Sequence, residues 1–509
     1  MKNLRLWVLF VACSIVWLIA SLWMAPAMSG GDVFIFRDAG WNLAAYGHFE
    51  SAGLLYMRDL APKLYSHYPP IFALLFSGYA SVFPRNAYAG TVFNLLLGLL
   101  AAGVSLYWVL RQPPSWLRTG TACGIAVLPV AFVFMDRPEP IGLVLSVTAL
   151  ALVARDRVRP VWIGLLIALV FLAHPFAAVA ESIWAVALLL SRNWTAADRW
   201  LKTLKETVIT GLVCMAAIGS VALLYYHIDH NSLRRFAAHA FGKHSGVGAA
   251  GVSPLGHSLI AVIRHEVAFS MLAAWMFMGT LATFFFLAGW LLLRRKDMQQ
   301  RDWLTAGAGL VCGIVSFGFF PTQPGYLMLL AFFIPLGLLI TGAPGGKLAS
   351  AAVALLALAI FVRIPAVVVD VIQRVEQRAS YAAAKGQPAY LLARLASPDA
   401  VVGLAGGSGS YDLFKPKFRH LVAIGYMGND AYSGIAGVAN CYASFHGADK
   451  AQIPLPEVLD ASNFEIIQPA PQHMWITLFG HRVMRAQWGY GCDLYVRKGE
   501  VRSVTQPRP

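Results

Sequence analysis

The stretch that decides the fold is GGDVFIFRDAGWNLAAYGHF (residues 30–49), which is followed by YSHYPPIF (residues 65–72). Both lie between the first two long apolar segments of a chain that is otherwise mostly compatible with hydrocarbon. The loop that contains them carries five ionisable candidates: Asp32, Asp38, Arg58, Lys63 and His67. Ionisable groups held against a bilayer are costly unless they are paired or used, so this loop is the first place to expect a functional site.

Composition indicates the class of protein. Of 509 residues, 58% are hydrophobic and 13% are charged, whereas soluble domains carry roughly 25% charged residues. The chain is therefore predicted to be a polytopic α-helical membrane protein embedded in a lipid bilayer. The formal net charge of +15 does not indicate nucleic acid as a partner, because the basic residues form short clusters between apolar segments rather than one face or tail.

The sequence predicts about eleven membrane spans. The shorter apolar segments must extend into their flanks to reach the roughly 20 residues of a spanning helix. If the segments alternate, the basic clusters between them fall on one side, which the positive-inside rule makes the cytoplasm. The amino terminus is then cytoplasmic and residues 365–509 lie outside. The segments are about 4–24, 87–110, 120–135, 141–154, 161–173, 177–190, 207–226, 267–293, 303–320, 326–342 and 346–364.

Residues 69–84 (PPIFALLFSGYASVFP) are also apolar but are too short to span the membrane. Counting them as a span would move the clusters at 155–159 and 294–301 to the outside. We therefore predict a helix at the outer membrane surface, opened by Pro69 and Pro70, whose missing N–H groups cost nothing in a first helical turn. The first outer loop then covers about residues 25–86.

Residues 365–509 have a different character from the transmembrane module of residues 1–364. Charge density rises, and short β-like runs alternate with Gly, Ser, Asn and Pro. We predict a C-terminal extracytoplasmic domain of α/β or α+β type, beginning with a helix near residues 368–397. Two of the six cysteines, Cys441 and Cys492, lie in this tail. Because the tail is assigned to the oxidising side, a disulfide between them is predicted.

Further polar residues are predicted at the outer ends of the spans. MDRPEP carries Arg137 and Glu139, and PTQPGYL carries Tyr326; a His- and Arg-rich loop covers residues 227–265. A carboxylate can take the proton of an acceptor hydroxyl, while a basic residue or a metal ion stabilises a departing phosphate. That arrangement suits displacement at an anomeric carbon. Nucleotide sugars are not expected outside the cell, so a lipid-phosphate sugar is the natural donor.

The first outer loop resembles that of GT-C glycosyltransferases that use polyprenyl-phosphate-linked sugars. The matching positions are an acidic residue, an aromatic residue, two small residues and a Pro-Pro-apolar motif: Asp32, Phe36, Gly40, Gly47 and Pro69-Pro70-Ile71. The resemblance implies that Asp32 is the general base. A simpler role for Asp32 is to cap the helix that begins with VFIF.

Different branches of the superfamily match different features. The form Tyr68-Pro69-Pro70 resembles the polyprenyl-phosphate-mannose-dependent mannosyltransferases, whereas the outer tail and Tyr326 resemble the aminoarabinose and protein mannosyltransferase branches. The aminoarabinose branch has Lys before Pro-Pro, where this chain has Tyr68. The candidates for donor or phosphate binding are therefore Arg58, Lys63, His67, Tyr68, Arg137, Tyr326 and the basic group at residues 234–243.

The remaining acidic candidates have alternative roles. Asp38 is expected to be a solvated or salt-bridging residue more than a participant in the reaction. Glu139 is either part of the site, including a possible divalent-metal site, or a residue placed at the membrane interface. Tyr326 either contacts the donor or belongs to the aromatic belt.

The function predicted is that of an inverting glycosyltransferase at the outer face of a bacterial inner membrane. It would transfer a sugar from polyprenyl phosphate to an extracytoplasmic glycan, glycolipid or protein. A flippase or other transporter of lipid-linked sugars is one alternative, although such proteins favour mid-span charges or internal repeats, which are not evident here. A non-catalytic protein of envelope-polysaccharide assembly is the other, and it would not need Asp32.

Overall fold

The computed structural model describes residues 2–27, 33–51, 68–134, 136–155, 158–230, 289, 293, 300–319, 324–342, 346–395, 402–405, 411–424, 441–444, 464–468, 475–478, 481–485 and 493–497. For residues 2, 34–35, 316–319 and 324–328, and for most positions in the strands, the description covers the backbone alone.

Most of the described chain is a bundle of apolar helices, labelled here in chain order. The first outer loop contributes three short helices, α2 (Val33–Phe36), α3 (Asp38–Tyr46) and α4 (Ile71–Val82). The other helices of the bundle are α1 (Lys2–Trp23), α5 (Ala89–Leu110), α6 (Trp116–Val127), α7 (Glu139–Val153), α8 (Pro160–Ala173), α9 (Pro175–Asn193), α10 (Arg199–Ile228), α11 (Gln300–Phe319), α12 (Pro324–Thr341) and α13 (Lys347–Glu376).

The chain is a multi-pass membrane protein. Five described helices are long and apolar enough to cross a bilayer, namely Asn3–Trp23, Ala89–Leu110, Pro175–Asn193, Arg199–Ile228 and Lys347–Glu376. Four shorter apolar helices accompany them: Ile71–Val82, Glu139–Val153, Pro160–Ala173 and Leu329–Thr341. The predicted segment 267–293 falls outside the described residues apart from two positions, so the count of eleven spans stays a prediction.

Helix ends in the bundle are set by proline and by polar caps. Pro160 and Pro175 occupy the first turns of α8 and α9, where a missing N–H costs nothing. Ser115 accepts a hydrogen bond from the Arg118 amide and caps α6. Helix α6 gives way to a 3₁₀ turn at Pro129–Phe132. Arg363 of α13 donates to two carbonyl oxygens of that break, at 2.9 and 3.1 Å, and so satisfies acceptors that a helix would have paired.

Contacts between loops show which helix ends share a face. Arg192 in the last turn of α9 donates to the Val158 carbonyl before α8, at 2.9 Å. Arg301 in α11 donates to the carbonyl of Thr341 at the end of α12, also at 2.9 Å. Arg301 also donates to the Ala154 carbonyl, at 3.5 Å, and lines the same cavity as Arg192. These two basic residues, which the sequence predicts on one side, therefore lie at one end of the bundle. We call this end the basic face and the opposite end the site face.

Helix α4 forms where a surface helix is predicted, directly after Pro70. Helix α13 continues past the predicted end of the last apolar segment at residue 364 and accommodates Pro365 in its interior. The helix predicted near 368–397 is therefore the end of α13 followed by α14 (Arg378–Ala384) and α15 (Gln387–Arg394). Bundle and C-terminal part are joined by a continuous helix rather than by a linker at residue 365.

The C-terminal part contains a mixed five-stranded sheet. Its strand order is β2-β1-β3-β7-β4, with β1 parallel to β2 and β3, and β7 antiparallel to β3 and β4. Strands β5 and β6 form a separate antiparallel pair. Helix α16 (Tyr411–Phe414) lies between β1 and β2 in sequence. The strands are β1 (Val402–Ala405), β2 (Leu421–Ile424), β3 (Cys441–Ser444), β4 (Phe464–Gln468), β5 (Trp475–Leu478), β6 (His481–Arg485) and β7 (Asp493–Arg497).

The register between β3 and β7 bears on the predicted disulfide. Cys441 pairs with Val496, and Asp493 pairs with Ser444. The backbones at 441 and 493 are thus three strand steps apart, about 10 Å along the strand. Cys492, the residue before Asp493, and the side chain of Cys441 lie outside the described part of the chain, so the disulfide stays a prediction.

Candidate active site

The first outer loop is a compact layer in which α3 packs against α4. Gly40 makes this contact possible, because a β-carbon at this position would lie 2.2 Å from the carbonyl oxygen of Ala73. Gly47 ends α3 with φ +74°, a left-handed conformation that glycine adopts without strain. Phe36 packs edge-to-face on Tyr68, with ring centroids 4.7 Å apart. The motif positions Phe36, Gly40 and Gly47 therefore shape the loop and fix the residues around it.

Aromatic rings hold this layer to the bundle. Trp41 of α3 stacks on Phe76 of α4 at a centroid distance of 6.0 Å. Phe76 and Phe72 in turn contact Phe93 of α5 edge-to-face, at 5.1 and 5.4 Å. All four side chains are buried. Such ring pairs add to the stability supplied by burial alone, so they attach the loop to helix α5 of the bundle.

Arg37 is the charged centre of the site face. It is fully buried, and its Nη2 atom lies 2.7 Å from Asp412 and 3.3 Å from Asp136. Burial by itself lowers the pKa of Arg37, but the two carboxylates more than offset that effect, and the net pKa is raised. A β-carbon on Gly90 would come within 1.1 Å of the guanidinium. Glycine at position 90 of α5 therefore provides the space that Arg37 occupies.

Asp136 has an unusual backbone. Its φ is +52°, the only positive value of a non-glycine residue in the described chain. Its carboxylate also accepts a hydrogen bond of 3.2 Å from Asn94. Backbone strain of this kind persists only where surrounding contacts enforce it, and it concentrates at functional sites. The contacts to Arg37 and Asn94 hold the Asp136 carboxylate in this arrangement.

Within the described residues, Asp38 makes polar contacts with Lys415, Tyr411 and Ser51. It lies 2.7 Å from the Lys415 ammonium, accepts a hydrogen bond from the Tyr411 hydroxyl, and accepts another of 3.0 Å from Ser51. Asp38 and Lys415 are fully buried. Of the two roles expected for Asp38, solvated or salt-bridging, the structure shows the salt bridge, and the carboxylate is buried. Its cationic partner, Lys415, comes from the C-terminal part.

The two C-terminal partners of Asp38 have shifted pKa values. Burial raises the pKa of Tyr411 well above its ordinary value, and Asp38 raises it further, so the phenol keeps its proton and donates it. Burial lowers the pKa of Lys415, while the charge of Asp38 acts in the opposite direction. Each contact thus favours the arrangement seen, in which both partners donate to the carboxylate.

Arg137 and Glu139 form a second charged group at the start of α7. Their side chains approach to 2.8 Å, with Glu139 fully buried and Arg137 21% exposed. Glu139 also lies 3.9 Å from His174, whose Nδ1 atom accepts from the Ala177 amide and caps α9. The guanidinium of Arg137 lies 5.9 Å over the Phe36 ring. Arg137 is a partly exposed cation among groups that fix its position.

The structure brings four of the predicted site residues onto one face: Asp38, Tyr68, Arg137 and Glu139. Tyr68 is buried against Phe36 and lies 6.4 Å from the His174 ring. The other predicted residues, Asp32, Arg58, Lys63, His67 and the group at 234–243, lie outside the described residues, as does the side chain of Tyr326. Within the described ranges, no three His, Cys, Asp or Glu side chains are grouped so that they could hold a metal ion.

The sequence did not indicate Arg37, Asp412 or Lys415 as site residues. Arg37 and Asp412 are 375 positions apart, and neither belongs to a local pattern that marks a buried ion pair. The one usable signal was composition, since Arg37 and Asp38 are adjacent charges in a segment otherwise rich in aromatic and small residues. A buried charge in such a segment requires a partner, but the sequence does not name it.

The overall architecture is that of a GT-C glycosyltransferase. The structure of ArnT from Cupriavidus metallidurans bound to undecaprenyl phosphate is similar to this chain, with a TM-score of 0.52, 13% identity, and coverage of 84% of this chain and 87% of ArnT. The apo oligosaccharyltransferase of Archaeoglobus fulgidus matches with a TM-score of 0.44, 12% identity, and coverage of 87% of this chain and 69% of that chain. Comparison with curated protein sequences gives no match.

The model for glycosyltransferase family 87 matches residues 67–321, about half of the chain. The chain therefore belongs to glycosyltransferase family 87. The match begins immediately before Tyr68-Pro69-Pro70 and includes Arg137, Glu139 and His174. The predicted resemblance to the GT-C superfamily is confirmed, and the protein is a membrane glycosyltransferase.

Proposed function

We propose that this glycosyltransferase takes its sugar from a polyprenyl phosphate at the outer face of a bacterial inner membrane. The acceptor is an extracytoplasmic glycan, glycolipid or protein. The observation that carries the proposal is Arg137, a partly exposed cation held at the site face by Glu139 and by the Phe36 ring. A phosphate leaving group requires a positioned cation of this kind.

Asp32 acts as the base in this reaction. It takes the proton of the acceptor hydroxyl, whose oxygen attacks the anomeric carbon from the side opposite the phosphate. The bond between that carbon and the phosphate oxygen breaks with inversion, and polyprenyl phosphate leaves with the electron pair. Arg137 stabilises the charge that develops on the phosphate. The assignment of Asp32 rests on the sequence motif.

Charge distribution supports the orientation. The basic face carries Arg192 and Arg301, which belong to basic clusters that the positive-inside rule assigns to the cytoplasm. The site face, with the C-terminal part, then lies on the outer side, where lipid-linked donors and envelope acceptors meet. The likeness in fold to ArnT, which was solved with undecaprenyl phosphate, supports a lipid-phosphate donor.

A defined reaction tests the proposal. Purified protein in detergent should transfer sugar from a synthetic short-chain polyprenyl-phosphate sugar, without nucleotide or membrane gradient. Asp32→Asn should retain expression and membrane insertion but lose about 100- to 10,000-fold in rate, the usual contribution of a general base. An Asp32→Asn enzyme with more than about a third of wild-type activity would contradict the assignment of the base.

Sugar and acceptor identity require a cellular readout. Mass spectrometry of envelope glycans and of polyprenyl-phosphate sugars from a deletion strain should show one missing sugar and its accumulated donor. If purified protein binds such donors without turnover, while liposomes show them crossing the bilayer, the protein is a transporter and the proposal fails.

A further inference from the structure

The C-terminal part reaches into the first outer loop through one short segment, residues 411–415, which we call the clamp. It consists of α16 and the following residue, Lys415. Asp412 contacts Arg37, and Tyr411 and Lys415 contact the next residue, Asp38. The junction between α2 and α3 is thus held by three side chains from a segment about 375 positions away in sequence.

The clamp is a buried arrangement of charges. Asp412 is 2.7 Å from Arg37, and Lys415 is 2.7 Å from Asp38. The order of charges along the two segments is opposite. In the loop the cation Arg37 precedes the anion Asp38, whereas in the clamp the anion Asp412 precedes the cation Lys415; we call these the crossed pairs. A shift of the loop by one residue would place like charges together in a medium of low dielectric, so the crossed pairs specify one register.

Hydrophobic packing reinforces the same junction. Ala25 and Val33, which precede and follow residues 28–32, are buried in the same cluster as Tyr411 and Phe414. Arg374 at the end of α13 donates to the Ala25 carbonyl at 2.9 Å and accepts from the Ala25 amide at 3.0 Å. The C-terminal part therefore fixes the chain on both sides of residues 28–32.

We propose that Asp412 and Lys415 are positioning residues for the transfer reaction, holding the loop that carries the base in its working register. This inference rests on the proposed function, since it takes Asp32 as the base. Neither residue touches the reacting atoms; each acts through Arg37 or Asp38. The role assigned to the C-terminal part is thereby to complete the active site rather than to bind a separate ligand.

The test compares isosteric variants that remove one clamp charge at a time. Lys415→Met and Asp412→Asn keep side-chain size, and in Asp412→Asn the guanidinium of Arg37 retains Asp136. Arg419→Gln is the matched control, because Arg419 joins the same two parts of the chain through Glu50 at 3.9 Å but lies at the surface, where ion pairs contribute little. Transfer rates are normalised to folded protein measured by size exclusion.

We expect Lys415→Met and Asp412→Asn to lower kcat about 10- to 100-fold, the cost of a misplacement on the order of 1 Å, with donor KM within about threefold of wild type. The double variant Asp38→Asn/Lys415→Met should lose no more activity than the more impaired of its two single variants, because both changes break the same contact between Asp38 and Lys415. Arg419→Gln should match wild type. Unchanged kcat per folded enzyme in both clamp variants overturns the proposal, as does an equal loss in Arg419→Gln.

Hydrogen exchange separates failure of the clamp from failure of the proposed function. Amides of residues 33–46 should exchange about tenfold faster or more in Lys415→Met, with no change in Arg419→Gln. This measurement does not depend on the donor or on Asp32. If Asp32→Asn remains active, the proposed function fails while faster exchange still supports the clamp; unchanged exchange in Lys415→Met overturns the clamp whatever the activity of Asp32→Asn.

Discussion

Replacing Gly40 by alanine tests whether the sequence motif works by close helix packing. The added β-carbon would lie 2.2 Å from the Ala73 carbonyl oxygen and 3.2 Å from the Ser77 amide nitrogen, whereas ordinary contacts begin at 3.4 Å. The nearest atom belongs to the backbone of α4, so no side chain can rotate out of the way. Helices α3 and α4 must separate by about 1 Å to restore an ordinary contact.

The expected cost follows from two opposing effects. Overpacking against a rigid neighbour costs about 3 kcal/mol, the upper part of the usual range. Alanine inside a helix recovers about 1 kcal/mol relative to glycine. The net loss is then about 2 kcal/mol, which lowers the apparent melting temperature of a chain of 509 residues by roughly 2 °C. Because α3 begins with Asp38 and α4 follows Tyr68, a 1 Å separation should also reduce the transfer rate by on the order of 100-fold.

Gly78→Ala is the matched control for this experiment. Gly78 lies in the same helix α4, and a β-carbon there meets nothing within 4 Å. Size exclusion of detergent-solubilised protein after heating should show Gly78→Ala equal to or above wild type, with Gly40→Ala clearly below. Equal melting temperatures for the two alanine variants, together with full activity of Gly40→Ala, would refute the packing argument.

Two further predictions concern the donor and the orientation. Arg137→Ala should lower kcat/KM about tenfold or more, since it removes a charge-assisted phosphate contact, whereas Arg85→Ala, which removes a cation beside α4, should have little effect; equal activities would exclude Arg137 as the phosphate cation. An alkaline phosphatase fused after Pro509 should be active, and Cys441 and Cys492 should resist alkylation until reductant is added. An inactive phosphatase together with an active cytoplasmic reporter at the same position would reverse the orientation.

Local features of the site face could be predicted from the sequence. Pro69 and Pro70 mark the start of α4, and Gly47 marks the end of α3, because both residue types have strong backbone preferences. Arg192 and Arg301 lie at one end of the bundle, as expected if the apolar segments alternate in direction. These inferences each use a few neighbouring residues, which is the range over which a single sequence is informative.

The end of the bundle was harder to predict because polar residues there have long-range partners. The last apolar segment is predicted to end at residue 364, yet α13 continues to Glu376. Arg363 binds carbonyls near Ala131, and Arg374 binds Asp370 at 3.6 Å together with the end of α1. Arg363 and Arg374 interrupt the apolar pattern of the sequence, but in the structure they donate to carbonyl oxygens near the ends of other helices. The crossed pairs of the clamp escaped prediction for the same reason.

The partners of the acidic residues also bear on which of them can act as a base. A base needs a lone pair directed at the acceptor and a charge that is not already neutralised. Asp38 is held by Lys415, and Glu139 is held by Arg137. Asp136 and Asp412 share the buried guanidinium of Arg37.

Moving any of these four carboxylates toward an acceptor would leave a cation behind, which is costly in a buried setting. They are therefore suited to holding the loop in place. Proton removal is left to a residue that this framework positions, and the motif match makes Asp32, one residue before α2, the candidate that the Asp32→Asn and clamp experiments test together.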